Sequence, residues 1–234
     1  MGFQSISYQQ LSDWRIGKKA LPERPIMFDF DHAVRSIKKE IHPLMEEFGF
    51  HGNLFINTEP MEKLYAGGLP LPEKRGMMTW EEIGEIMASG WHIGAHTHNH
   101  TDLSELSTRD PSGEAVRAEL IQCDEMLHGK LGITPRDFAF TGTSWSSAAE
   151  REVMKRYRFG RLWIVGSVYR ADRKEIRYAE LVGASGQDEP DGGPPASARY
   201  ITRDSHPYRL PSMELHYLIY DFDAYRRYLE GALR

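Results

Sequence analysis

The chain has 234 residues, 40% of them hydrophobic and 27% charged, the make-up of a globular protein with one sizeable core. Lys and Arg number 29 against 34 Asp and Glu, and the net charge of −5 speaks against a nucleic-acid binder or a protein that coats anionic membranes. Cys123 is the only cysteine, which excludes an intrachain disulfide and a thiolate zinc site.

No run approaches the roughly 20 apolar residues of a membrane span. The first residues, "MGFQSISYQQLSDWR", lack a signal-peptide core, so the expected location is the cytoplasm. "RPIMFDF" (residues 24–30) reads as a short buried strand. Residues 34–48 carry apolar side chains at helical spacing, stopped by Gly49, with Pro43 placed to kink the helix. "HGNLFINT" is a second strand, followed by a Gly- and Pro-rich loop over residues 59–76. Thr79 and Glu82 form a capping box for a helix that ends at Gly90.

"WHIGAHT" is a third strand and runs straight into a histidine cluster. A long amphipathic helix closes at Gly132, "RDFAFTG" is a fourth strand, and a Ser-capped helix follows over residues 146–160. "RLWIVGSV" is a fifth strand. Residues 183–204 are expected as an irregular loop, of the length that often forms a lid. "HPYRLPSMELHYLIY" holds a sixth strand and "DFDAYRRYLEGALR" a final helix. Strands alternating with helices predict an α/β fold with a parallel sheet or barrel, organised as one domain over residues 1–234. The chain lacks G-x-G-x-x-G after the first strand and lacks G-x-x-x-x-G-K-[ST], so dinucleotide and P-loop readings lose their main support.

Ligand sites of parallel α/β folds gather at the carboxyl ends of strands. The first strand ends "FDFDH", with Asp29 and Asp31 two apart and so on the same side of an extended chain. The third ends "HTHNH", where His96 and His100, four apart, can meet at one metal in a tight turn while His98 points elsewhere. One carboxylate and two imidazoles with open positions suit zinc acting on a water, or a non-haem iron. The plainer alternatives are an ion pair or helix cap for the aspartates and a solvated loop for the histidines.

These stretches resemble the polysaccharide deacetylases, the NodB-homology hydrolases. "IMFDFDHA" is similar to their T-F-D-D-G motif, "GWHIGAHTHNHTDLSEL" to H-[ST]-x-x-H with the helix start behind it, and "RDFAFTGTSW" to F-A-Y-P-x-G. "LSDWRIGKKALPERP" is similar to the lead-in of many members. The resemblance implies a distorted, incomplete (β/α) barrel and a hydrolase of C–N bonds other than peptide bonds. It implies removal of N-acetyl from an amino sugar of a polysaccharide or its precursor, with a divalent metal, zinc, as cofactor.

By the same resemblance, Asp29 is the general base, His96 and His100 bind the metal, and Asp31 takes the place of the second Asp of D-D, where Phe30 stands. His32 replaces the usual Gly and adds crowding. Phe140 and Thr141 fall where backbone N–H groups hold the oxyanion, with Thr141 in place of Pro. The late L-x-H histidine that serves as acid is met best by His216 in "MELHY" and second by His206. Two other readings stay open: a hydrolase of small amides or ureides, and a catalytically impaired protein that binds carbohydrate or metal. A barrel lacking its last strand leaves an edge that a second copy could cover, making a homo-oligomer.

Overall fold

The computed structural model describes residues 1–62, 76–214 and 221–233. By its contacts the chain divides into two compact units, Met1–Thr101 with Arg117–Ala139, and Asp102–Val116 with Phe140–Arg234.

The first unit opens with strand β1 (Gln4–Ser5) and helix α1 (Tyr8–Arg15), which a Ser7–Gln10 capping box starts. The stretch expected as one strand is two: β2 (Pro25–Ile26), parallel to β1, and β3 (Asp29–Asp31). Four strands carry the sheet of this unit: β3, β4 (Asn53–Ile56), β5 (His92–Ala95) and β6 (Asp137–Ala139). They pair in parallel in that order, through Asp31↔Phe55, Ile56↔Ala95 and Ala95↔Phe138. Leu54, Phe55, Ile56, Ala95 and Phe138 are fully buried, as the apolar runs of these strands require. Gly94 is forced by packing, since a Cβ there would stand 2.5 Å from the Phe55 ring and 3.0 Å from Asp137 O.

The helix expected over residues 34–48 is interrupted where Pro43 predicts. Residues Ile37–Ile41 form a π-helical turn, with His42 N–H donating to Ile37 O, and helix α2 (His42–Glu47) follows with the proline in its first turn. A proline ring clashes with the carbonyl four residues back, and one wide turn relieves that clash. Helix α3 (Trp80–Ala88) has the expected Thr79–Glu82 capping box. Two helices follow, α4 (Leu103–Arg109) and α5 (Glu114–Leu131).

The second unit pairs β8 (Phe159–Ile164) with β11 (Leu210–Met213) in parallel, from Leu210↔Arg161 to Met213↔Ile164. It adds β7 (Ser144–Trp145), helix α6 (Ser147–Met154) and an unexpected hairpin, β9 (Val168–Ala171) with β10 (Lys174–Arg177). The hairpin turn is Asp172-Arg173, both with positive φ, at 46° and 69°. That is the mirror-image turn that suits hairpins, made without the glycine that would announce it. Residues 183–204 are less loose than an irregular lid. Arg199 is nearly buried and paired with Asp191, Arg177 binds Asp188 at 2.5 Å, and Ala196–Arg199 form a helical turn. Helix α9, numbered after the short helices Tyr178–Leu181 and Ala196–Arg199, spans Phe222–Gly231 with Asp221 as its cap. No helix among the described residues is long and apolar enough to cross a membrane.

Cys123 is fully buried in helix α5, its thiol directed to Ile56 O at 3.5 Å, and burial pushes its pKa up to about 12. At pH 8 only about one thiol in 10,000 is then ionised, and the thiolate is the reactive form. Native protein should resist alkylation by iodoacetamide at pH 8 and take up one equivalent in denaturant, as read by intact-mass spectrometry.

Candidate metal centre

The parallel strands β3, β4, β5 and β6 end at Asp31, Ile56, Ala95 and Ala139, and the candidate residues leave from this carboxyl edge. His96 follows β5 directly. Its N–H donates to Ile56 O at 3.0 Å, which continues the ladder, and its side chain is almost completely buried. His96 Nδ1–H donates to Ala139 O at 2.9 Å. A carbonyl can only accept, so the proton of the neutral ring sits on Nδ1 and the lone pair on Nε2.

His32 follows β3 in the same way. Its N–H donates to Phe55 O at 2.9 Å, and its Nδ1–H donates to Asn57 Oδ1 at 2.8 Å. His32 therefore holds the same tautomer as His96. The ring centroids of His32, His96 and His100 stand 4.6 to 5.2 Å apart. Their candidate ligand atoms all lie within 4.8 Å of one another, a cluster able to hold a metal ion. Loss of solvent around the His100 ring, with His32 beside it, holds its pKa below the ordinary histidine value against the opposing pull of Asp31. The neutral imidazole is the form that binds a metal.

The backbone is specialised at each of these turns. His32, Thr97 and His100 have φ of 66°, 65° and 56°, in the left-handed region that β-branched and bulky residues avoid. These turns break the alternation of the strand, so that residues four apart share one volume. The turn after His96 is fastened from helix α5. Glu119, buried on that helix, accepts from Asn99 N–H at 2.9 Å, from the Asn99 amide at 2.6 Å and from the Thr101 hydroxyl at 3.1 Å. His100 lies between those two anchored residues. His98 turns away as expected, its Nδ1 2.8 Å from the Thr58 hydroxyl and its Nε2 3.4 Å from Glu62.

Asp29 sits on β3, where the Tyr8 hydroxyl donates to one carboxylate oxygen at 2.8 Å and the Asn53 amide to the other at 3.1 Å. Asp31 is within electrostatic reach of His100. Among the described residues it is His32, the side chain expected to crowd the site, that joins His96 and His100 in the three-donor cluster. Phe30 faces the other way and stacks on Trp91, with ring centroids 5.2 Å apart.

Phe140 and Thr141 are buried in the second unit. The Phe140 N–H, expected to hold an oxyanion, instead donates to Arg161 O at 2.9 Å; a donor used in strand pairing is not presented to a ligand. His216 lies outside the described residues. His206 belongs to the second unit, where its Nδ1 accepts from Tyr208 N–H at 3.3 Å. Reading the sequence did not find Tyr8, Asn57 or Glu119. Asn57 in "INT" was legible only as a polar residue closing a strand, and nothing in the sequence ties Glu119 to residues twenty positions earlier.

The profile of the polysaccharide deacetylase family matches residues 18–159. The poly-beta-1,6-N-acetyl-D-glucosamine N-deacetylase of Escherichia coli K12 is 21% identical over 182 residues, which cover 66% of this chain and 27% of that protein. The chain thus spans about a quarter of that relative's length. The BpsB deacetylase domain from Bordetella bronchiseptica has a TM-score of 0.62 at 18% identity, covering 91% of this chain and 79% of that one. The Streptococcus pyogenes deacetylase PplD in complex with acetate has a TM-score of 0.59 at 15% identity, covering 69% and 66%. At these identities the likeness shows the fold, and it is the deacetylase-type α/β fold expected from the sequence.

The Glu119 clamp can be measured directly. Glu119→Ala should lower the unfolding free energy by about 1–3 kcal/mol in urea titration, the usual effect of stranding buried donors. Amide hydrogen exchange should rise at residues 97–101 and stay unchanged in β8. Wild-type exchange in that turn would mean that other contacts hold it.

Proposed function

Because the chain belongs to the polysaccharide deacetylase family, we propose that it is a metal-dependent hydrolase that removes the N-acetyl group from an amino sugar of a polysaccharide or its precursor. The observation that carries this reading is the cluster of His32, His96 and His100 at one strand edge, next to the end of β3 that bears Asp29 and Asp31. The name of the Escherichia coli relative, a deacetylase of poly-β-1,6-N-acetyl-D-glucosamine, and the acetate in the Streptococcus pyogenes structure support the same chemistry.

The residues present fit a divalent cation of the zinc type. Neutral imidazoles whose Nδ1 protons are tied to carbonyl-type acceptors are the usual form of histidine ligands. His96 and His100 would hold the ion together with the end of β3, where the resemblance assigns Asp31. A divalent metal held there supplies Lewis-acid polarisation of the amide carbonyl and lowers the pKa of a bound water toward about 7.

The chain's own residues do the rest. Asp29 takes the proton of the attacking water on a carboxylate oxygen. Tyr8 and Asn53, donating one hydrogen bond to each oxygen, fix the plane of that carboxylate. The C–N bond then breaks, the acyl group leaves as acetate, and the amine nitrogen takes up a proton. His216 is the candidate donor of that proton, with His206 as the second.

Acetate release from N-acetylglucosamine oligomers tests the reading. Asp29→Asn should lower kcat by about 10²–10⁴-fold with little change in KM, the effect expected for loss of a general base. A chelator should abolish the activity and zinc restore it. Turnover of small amides with none on the oligomers would move the substrate class away from polysaccharide, and an unchanged rate in Asp29→Asn would remove Asp29 from its role.

A further inference from the structure

The second unit carries a cleft that the metal-hydrolase reading does not use. Residues 189–200 and helix α9 line it, its volume is about 450 Å³, and none of the clustered histidines belongs to it. We infer that this cleft is an accessory carbohydrate-binding site that takes a hexosamine unit of the polysaccharide, with the sugar ring laid on a tyrosine face. The inference rests on the polysaccharide reading above and goes beyond it in giving the chain a second place to hold its substrate.

The walls of the cleft are held by named contacts. Tyr200 and Tyr228 stack with ring centroids 5.4 Å apart and planes 23° apart, and the Tyr200 hydroxyl donates to Tyr228 O at 2.8 Å. Gly231 leaves room for that hydroxyl, since a Cβ there would collide with it. The Arg199 guanidinium is nearly buried, grips Asp191 through two nitrogens and gives its Nε–H to Pro194 O at 2.6 Å. Glu189 donates its backbone N–H to Gly193 O at 3.0 Å, and its Oε1 accepts from Ala196 N–H at 3.2 Å. A ligand entering such a cleft has few side chains left to order, which removes one of the usual costs of binding.

The chemistry of the walls selects the ligand. The volume falls within the roughly 300–1,000 Å³ of small-molecule pockets. A pyranose has a face of C–H groups that packs on an aromatic ring, and a rim of hydroxyls that suits planar carboxylates and guanidiniums. The cleft offers both, the tyrosine pair and a rim that includes Glu189, Arg227 and Glu230. Three carboxylates, with Asp191, stand in its lining against two guanidiniums, and Asp191 already neutralises Arg199. That balance disfavours phosphate and other anions. It suits a neutral N-acetylated hexosamine and equally the ammonium-bearing sugar left when acetyl is removed.

The test uses the chain kept in chelator, so that bound oligomer is not turned over. N-acetylglucosamine and glucosamine oligomers are titrated by calorimetry, and amide hydrogen exchange locates them. Both should bind and slow exchange across residues 189–200 and 222–231. Tyr228→Ala removes a ring but keeps the backbone carbonyl that Tyr200 holds. It should bind both oligomers about 3–10-fold more weakly, the range of a lost aromatic contact. Glu189→Gln keeps the shape of the side chain and loses its charge, and it should weaken both oligomers as well, because hydrogen bonds to ionised groups are the stronger ones. A cooperative melting transition in each variant shows that it is folded.

Exchange slowed only at residues 93–101, or wild-type affinity in both Tyr228→Ala and Glu189→Gln, would overturn the inference and leave the deacetylase reading standing. Oligomer held at the cleft by a zinc-loaded chain that releases no acetate would uphold the cleft and overturn the deacetylase reading. Oligomers that are neither bound nor turned over would overturn both.

Discussion

Everything at this edge of the sheet depends on left-handed backbone at side chains that disfavour it. His32, Thr97 and His100 each sit at φ between 56° and 66°. Such conformations cost about 1–3 kcal/mol each and persist only where surrounding contacts over-determine them. Here those contacts can be named. His32 is held by its N–H to Phe55 O and its ring to Asn57, Thr97 is fully buried, and His100 lies between two residues bound to Glu119. If the turns relaxed to extended chain, His96 and His100 would be carried apart as an ordinary strand continues.

The end of β4 is the post to which both turns are fastened. Phe55 O and Ile56 O accept from the backbones of His32 and His96, and Asn57 orders the His32 ring. Thr58 takes the ring of His98, and Glu59 N–H donates to His98 O at 2.9 Å. Asn57 and Thr58 are almost wholly buried, and buried polar groups of this kind are tolerated because they are bonded. One short apolar strand with a polar end thus fixes rings from the strands on either side. Its burial gives the fastening its stiffness.

Much of this was legible in the sequence where the signal is local. Thr79 and Glu82 announce a helix start, Pro43 an interruption, and Gly94 a close approach only in retrospect. The pairing of "FDFDH" with "HTHNH" pointed to the strand edge where His32, His96 and His100 gather, because chemistry-bearing residues at two strand ends are costly without a shared purpose. What stayed hidden is what depends on distance or on an unmarked turn. Tyr8 belongs to a helix in a stretch for which no element was expected, and Glu119 acts from helix α5 across helix α4 and the turn that joins them. The Asp172-Arg173 hairpin lacks the glycine that usually marks its turn. The N–H of Phe140 could be assigned to a ligand only until its partner, Arg161 O, was known.

The spacing of the first motif follows from the pleat. On β3 the side chains of Asp29 and Asp31 share one side, and the residue between them must take the other. Phe30 takes it by stacking on the nearly buried ring of Trp91. A carboxylate at that position would lie against the Trp91 ring and lose part of its hydration, which a phenyl ring does not. The stacked ring favours phenylalanine at this position, and the alternating D-F-D spacing puts both charges on the other side of the strand. The strand ends at Asp31, and the next residue, His32, makes the turn. Its left-handed turn, which a glycine would make without strain, swings the imidazole back over the end of β4 toward His96 and His100. The same packing that moved the second carboxylate along the strand thus brought a third imidazole within reach of the other two.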